Sequence, residues 1–368
     1  MPSVNLRYLS LPSFSARTSV DSSSPVMDST RAFPPLPPEL VIHMFEIAAC
    51  NYPQAAQAIS CVSTWARKIA LPHLFSTVVY RPKPAFSRGM SSGANDSPNA
   101  RPLRPLTWGH LVRNLWIESS GISNPTNEGE MFRACTNVEN LALMSQSLRA
   151  LAPSIQVQNL ARLKAAADGS TLSSDPFPCR LRSMTLITHT FRYDWHFLVG
   201  LRLQDGSELL HNITHLRILD MTISSFAPHN LLPNLTHLAL PYLDLGNDFK
   251  HDTLRLPPGV LEHRALRMIV LTVAEKKWLT NPWYQISWYP RKTNISPKAT
   301  FRLLVEWLRN KDDRLYVVLS PRIGDDPCKE WADAARGGPS LWEMAAQARA
   351  DDSHGVDLPV SFPKGAQR

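Results

Sequence analysis

The stretches LLHNITHLRI, residues 209–218, and LLPNLTHLAL, residues 231–240, match at leucine, leucine, asparagine, threonine, histidine and leucine, with an offset of 22 residues. Each ends in the spacing apolar-x-x-apolar-x-apolar, as Ile213/Leu216/Ile218 and Leu235/Leu238/Leu240. The same spacing recurs at Val112/Leu115/Ile117, Val138/Leu141/Leu143, Leu181/Met184/Leu186 and Leu266/Ile269/Leu271. Alternation of this kind belongs to a short strand that buries one side. One such unit cannot bury its apolar side alone. Several must stack, strand beside strand, with the chain returning through a helix or loop each time.

Successive units start 26, 43, 32, 22 and 31 residues apart, so the array is irregular. The 43-residue step leaves room for a helix through Ser145 to Ala167 and a Gly/Ser/Asp-rich loop up to Pro178. The spacing resembles that of leucine-rich repeats, which recur as L-x-x-L-x-L every 20 to 29 residues or about that. The resemblance implies an irregular leucine-rich-repeat-like α/β solenoid over residues 108–325. A generic α/β domain whose strands share apolar alternation fits the same pattern. Two adjacent close repeats would stack His215 on His237 at the roughly 4.8 Å rung spacing of a sheet. Residues flanking the central apolar position are predicted to face away from the core. They include Asn114, Trp116 and Glu118, Asn140 and Ala142, Ser183 and Thr185, and Met268 and Val270. On that face, Trp116, His215, Arg217 and His237 are the candidate target-binding residues. His211 and His215 have the i, i+4 spacing of a helical metal pair, but His215 falls in a predicted strand and His211 aligns with Pro233.

Upstream, residues 34–80 read as a small helical module. Pro37 and Pro38 suit a first helical turn, where a missing N–H is harmless, and Glu39 suits the helix dipole. Leu40, Val41, Met44, Phe45 and Ala48 recur at helical spacing, and Pro53 stops the helix. A second helix is predicted from Gln54 to Ala70, ended by Pro72. A module of about 45 residues has little core, so apolar side chains left exposed on it form a patch suited to a partner. The motifs Leu36-Pro37-Pro38-Glu39-Leu40, Met44-Phe45, Val62-Ser63-Thr64-Trp65-Ala66-Arg67 and Pro72-His73-Leu74-Phe75 followed by Val78 resemble the F-box of fungal proteins. That resemblance implies docking onto a Skp-family adaptor, and through it onto a cullin-based ubiquitin ligase. Leu36, Pro37, Leu40, Met44, Phe45, Val62 and Trp65 would make the adaptor contact. The reading without the resemblance is two ordinary amphipathic helices of a larger domain.

The rest of the chain frames these two parts. Residues 1–33 are rich in Ser, Thr and Pro and are expected to form a disordered leader, with a faint likeness to a mitochondrial transit peptide. Residues 81–107 read as a flexible linker or insertion, and 351–368 as a disordered tail. Beyond the repeats, Trp278 to Tyr289 is aromatic-rich, Ser296-Pro297 opens a helix, and Leu315–Leu319 reads as a buried strand. Two C-terminal helices over 326–350, with Ser340 and Glu343 in capping-box spacing, are expected to cap the solenoid's open end. The run WADAARGGPSLWEMA resembles the tail of many fungal F-box proteins.

Composition sets the remaining bounds. The chain has 368 residues, net charge +8 and five widely scattered cysteines with no C-x-x-C pair, which fits a reducing compartment and neither a disulfide framework nor a zinc knuckle. Charged residues make up 19% without a basic block, so the excess is diffuse and argues against a nucleic-acid partner. No apolar run is long enough for a membrane span. Phosphate-binding, nucleophile-elbow and H-E-x-x-H signatures are missing, so no catalytic residue, metal or cofactor is expected. The expected role is a non-catalytic, cytoplasmic or nuclear substrate-recognition subunit of a Skp–cullin–F-box ligase, binding an unknown target protein. The alternatives are a repeat scaffold with no ligase association and a basic nucleic-acid binder.

Overall fold

A computed structural model describes residues 36–81, 108–118, 125–168, 180–205, 209–222, 225–242, 256–280, 296–320 and 326–353. The leader, the linker after Arg81, most of the tail, and the aromatic stretch Trp283 to Tyr289 lie outside the described residues.

Three helices open the described chain: α1 (Pro38–Asn51), α2 (Pro53–Ser60) and α3 (Thr64–Phe75). The single helix expected over 54–70 is therefore two. Ser63 breaks it, because its hydroxyl accepts from Ala66 N at 3.1 Å and so caps a new helix. Pro72 does not end α3. It lies inside a helix that continues to Phe75. The helices pack around alanines, with Ala49, Ala56, Ala66 and Ala70 buried beside Ile59. Such small side chains let the helices approach closely and bury little area.

A parallel eight-stranded sheet follows, in the order β1 to β8. Its strands are β1 (Thr77–Tyr80), β2 (Asn114–Ile117), β3 (Asn140–Leu143), β4 (Ser183–Leu186), β5 (His215–Ile218), β6 (His237–Pro241), β7 (Met268–Ala274) and β8 (Leu315–Ser320). Between them run α4 (Pro125–Ala134), α5 (Leu148–Ala167), α6 (Arg192–Asp205), α7 (Leu209–Asn212), α8 (Glu275–Thr280) and α9 (Pro297–Lys311). All six apolar-x-x-apolar-x-apolar units form strands, and the unequal steps between them are absorbed by the connections. Thr77–Tyr80, assigned from sequence to the helical module, is instead the first strand of the sheet. Ser76 joins the two parts, its carbonyl accepting from Arg113 N and Asn114 N at 2.9 and 2.8 Å.

The pairing is in register throughout, so equivalent residues stand side by side. One face carries Leu115, Leu141, Met184, Leu216, Leu238, Ile269 and Leu315, then Ile117, Leu143, Leu186, Ile218, Leu240, Leu271 and Val317. Together with buried side chains of the connecting helices, among them Phe132, Leu151, Trp195 and Leu304, they form the main core.

The last two helices, α10 (Pro327–Ala335) and α11 (Leu341–Ser353), lie on the opposite face of this sheet. This corrects the expected cap at the open end. The turn between them is a glycine-dependent helix stop. Gly337, at φ +96°, donates to Ala334 O at 3.1 Å, and Gly338 donates to Asp333 O at 2.9 Å. A Cβ on Gly338 would sit 2.8 Å from Asp333 O. The predicted capping box then starts α11, with Ser340 N donating to Glu343 Oε2 at 2.8 Å and Glu343 N to Ser340 Oγ at 3.2 Å. The bond from Ser340 N first, and the Ser340 hydroxyl second, hold the Glu343 carboxyl below its ordinary value.

Because Leu216 is fully buried at the centre of the ladder, Leu216→Ala is expected to lower unfolding stability by about 3 kcal/mol in urea denaturation. Leu40→Ala, at a half-exposed position of α1, is expected to change it by less than about 0.5 kcal/mol.

Candidate functional site

Two surfaces collect the residues singled out by sequence. The first is the outer side of the helical module. Leu40, Met44 and Ile47 recur at steps of four and three residues, which places them along one side of α1, and Leu36 is exposed just ahead of the helix. Leu40 is 51% exposed and Met44 57%, and only Ala49 of α1 is fully buried. Val62, 67% exposed, and Trp65, 43% exposed, add apolar surface at the start of α3. Pro37 is exposed just before α1, and its carbonyl accepts from Leu40 N and Val41 N at 3.0 and 3.2 Å. Phe45 differs from the other six expected contact residues. It is half-buried, its ring 5.8 Å from that of Trp65 and tilted by 49°, and it packs against the alanine core. Phe45 thus holds the module together while its neighbours face out. Ile47 and Tyr52 are exposed on the same module and were not anticipated. The spacing from Met44 was enough to find Ile47.

The second surface is the sheet face opposite the main core. Trp116, His215, Arg217 and His237 do share this face, as the strand alternation predicted, but the face is not open. Trp116 is fully buried, its ring 5.5 Å from that of Trp331 on α10, and Ala142, Cys328 and Ala332 complete that cluster. Ala239, Val270 and Val318 are covered by Leu341 and Ala345 of α11. Arg217 is 7% exposed and pairs with Glu330 of α10 at 2.9 Å. Among the described residues, Arg217 Nε and Glu330 Oε2 have no partner, and one contact holds this buried pair. Trp116 and Arg217 are therefore corrected from recognition residues to parts of an internal interface. Local alternation shows that a side chain leaves the main core, and says nothing of a second layer arriving from about 110–220 residues away.

Around these, Arg81 ties the end of β1 to Glu118 at 2.7 Å and to Asp326, the N-cap of α10, at 3.3 Å. Burial pushes the thiols of Cys135 and Cys328 up to about 12, so neither is a nucleophile near neutral pH. His215 and His237 stack with ring centroids 4.2 Å apart and 10° between planes, in the arrangement expected from the repeat. Burial first, and the neighbouring His237 second, lower the His215 imidazole to about 4. His237 is lowered as well, by burial and then by Arg267. Among the described residues, no group of three or more His, Cys, Asp or Glu could hold a metal ion, and no helix is long and apolar enough to cross a membrane.

No protein-family model matches the chain, and no curated protein matches it.

Glu330→Ala leaves Arg217 charged, buried and unpaired, which is expected to cost about 3 kcal/mol in chemical denaturation. The double variant Arg217→Met, Glu330→Met is expected to recover most of that loss, since apolar replacement of a buried pair is close to neutral.

Proposed function

We propose that this chain is a non-catalytic substrate-recognition subunit of a Skp–cullin–F-box type ubiquitin ligase. In this reading α1–α3 are the F-box-like module that docks a Skp-family adaptor, and the leucine-rich-repeat-like sheet with its helices holds a target protein. The observation that carries it is the apolar surface of Leu36, Leu40, Met44, Val62 and Trp65, left exposed on helices whose shared core is mostly alanine. A unit with so little core gains little from leaving such side chains in water, and a partner that covers them supplies the missing burial. The role is to hold target and ligase together at high effective concentration, with the transfer chemistry done by the partners.

A second reading has the same helices closing the first end of the sheet as a scaffold, with no adaptor. It is favoured by Ser76, which alone separates α3 from β1 and whose carbonyl accepts from Arg113 N and Asn114 N at the start of β2. Charge placed on the outer stripe separates the two. Leu40→Asp with Met44→Asp is expected to abolish co-purification with a Skp-family adaptor, a loss of at least about a hundredfold in affinity, given that two central apolar anchors are removed. Circular dichroism and melting temperature are expected to stay unchanged. Retention of adaptor binding in that variant, or its absence from the unaltered chain, would sink the ligase reading. Phe45→Asp does not serve here, because it would disrupt the module's own packing.

A further inference from the structure

Two imidazoles form part of the seat of α11 on the sheet, beside Ala239, Val270 and Val318. His215 and His237 come from neighbouring rungs, and Trp342 of α11 stands across both rings at 5.4 and 5.3 Å. Each Nδ1 lies 2.8 Å from the hydroxyl of the preceding threonine, Thr214 or Thr236. Each of those hydroxyls in turn donates to a carbonyl of the preceding rung, Arg182 O at 3.3 Å and Thr214 O at 3.1 Å. A hydroxyl has one proton to give, so Nδ1–H is the donor to it, which sets the tautomer of each ring when it is neutral.

Imidazole is the one side chain whose ordinary titration falls between about pH 5 and 8. Protonating both rings would set two like charges face to face at 4.2 Å. The surrounding charges do not offset this. Arg182 and Arg267 open the flanking strands and are positive, and Arg267 lies close enough to His237 to be felt. Arg217, next on the His215 side of β5, occupies the Glu330 carboxylate of α10, and Glu343 beside Trp342 is bound by Ser340.

We propose that the His215–His237 stack is a proton-sensitive latch, holding α11 on the sheet while both rings are neutral and releasing it when they are charged. The sign follows from linkage. The closed state binds fewer protons than the open one between about pH 6.5, where a free imidazole titrates, and about 4, where His215 does. Closure is therefore fully favoured above that window and is lost progressively as pH falls through it. Trp331 on Trp116 and the Arg217–Glu330 pair hold α10 independently, so release is confined to α11.

Hydrogen exchange of the full chain at pH 7.5 and 5.0, corrected for intrinsic amide chemistry, tests this. Opening of residues 341–353 is expected to rise at least about tenfold at pH 5.0, with β2 to β6 unchanged. In the double variant His215→Phe, His237→Phe, which keeps stacked rings without a titratable nitrogen, the change is expected to fall below about twofold. If that variant does not fold, His237→Phe alone is expected to shrink the acid response, and proton NMR of the unaltered chain to show His215 titrating well below its ordinary value. An α11 whose exchange ignores pH overturns the latch. So does a variant with the full acid response, or a His215 ring that titrates at about 6.5.

Discussion

Parallel crossovers are right-handed almost without exception. Seven of them, each adding the next strand on the same side, place the described connecting helices on one face of this sheet. The opposite face is then left to whatever else the chain can supply. A parallel sheet is stable only when both faces are covered, so the order β1 to β8 demands a second layer. The helical hairpin of α10 and α11 is that layer. Trp331 seats on Trp116 at one side, Ala345 and Leu341 on Ala239 and Val270 at the other, and Arg217 reaches across to Glu330 between them.

The same constraint separates the two halves of the chain by how they are held. In the sheet, in-register ladders of Leu, Ile and Met bury large side chains, each worth about 1.5–3 kcal/mol. In the helical module the shared core is mostly alanine, and Leu40, Met44 and Ile47 of α1 point outward. One half buries a large core and the other keeps much of its apolar surface exposed, and Ser76 joins the two.

Much of this was legible. The apolar spacing located six strands, their register and the histidine stack, since each depends on residues close in sequence. The split at Ser63 was also within reach, because Val62-Ser63-Thr64 carries an N-cap residue in a helical run. β1 was harder: Val78 and Tyr80 sit just after α3 and read as the tail of the helical motif. The cover over Trp116 and Arg217 depends on contacts far apart in sequence. A partial signal did exist. Strands such as Asn114–Ile117 and Met268–Ala274 are apolar at nearly every position, which is the pattern of strands buried on both sides. Read that way, Trp116, Ala142, Ala239 and Val270 argue for a covered face from the start. The exposed stripe of α1 was legible except for Phe45, whose inward packing depends on Trp65 of another helix.

The Arg81–Asp326 contact has a geometric consequence. Ser320 ends β8, and Asp326, six residues later, already touches the residue that follows β1. Six residues of extended chain reach about 21 Å, whereas seven flat inter-strand spacings add up to about 34 Å. The Arg81 and Asp326 side chains and the 3.3 Å contact between them make up the difference. Span and strand number are coupled: an added rung would push the ends apart and pull the hairpin from its seat unless the connection after β8 lengthened with it. Growth by duplication of a single strand unit is closed to this sheet without that second change.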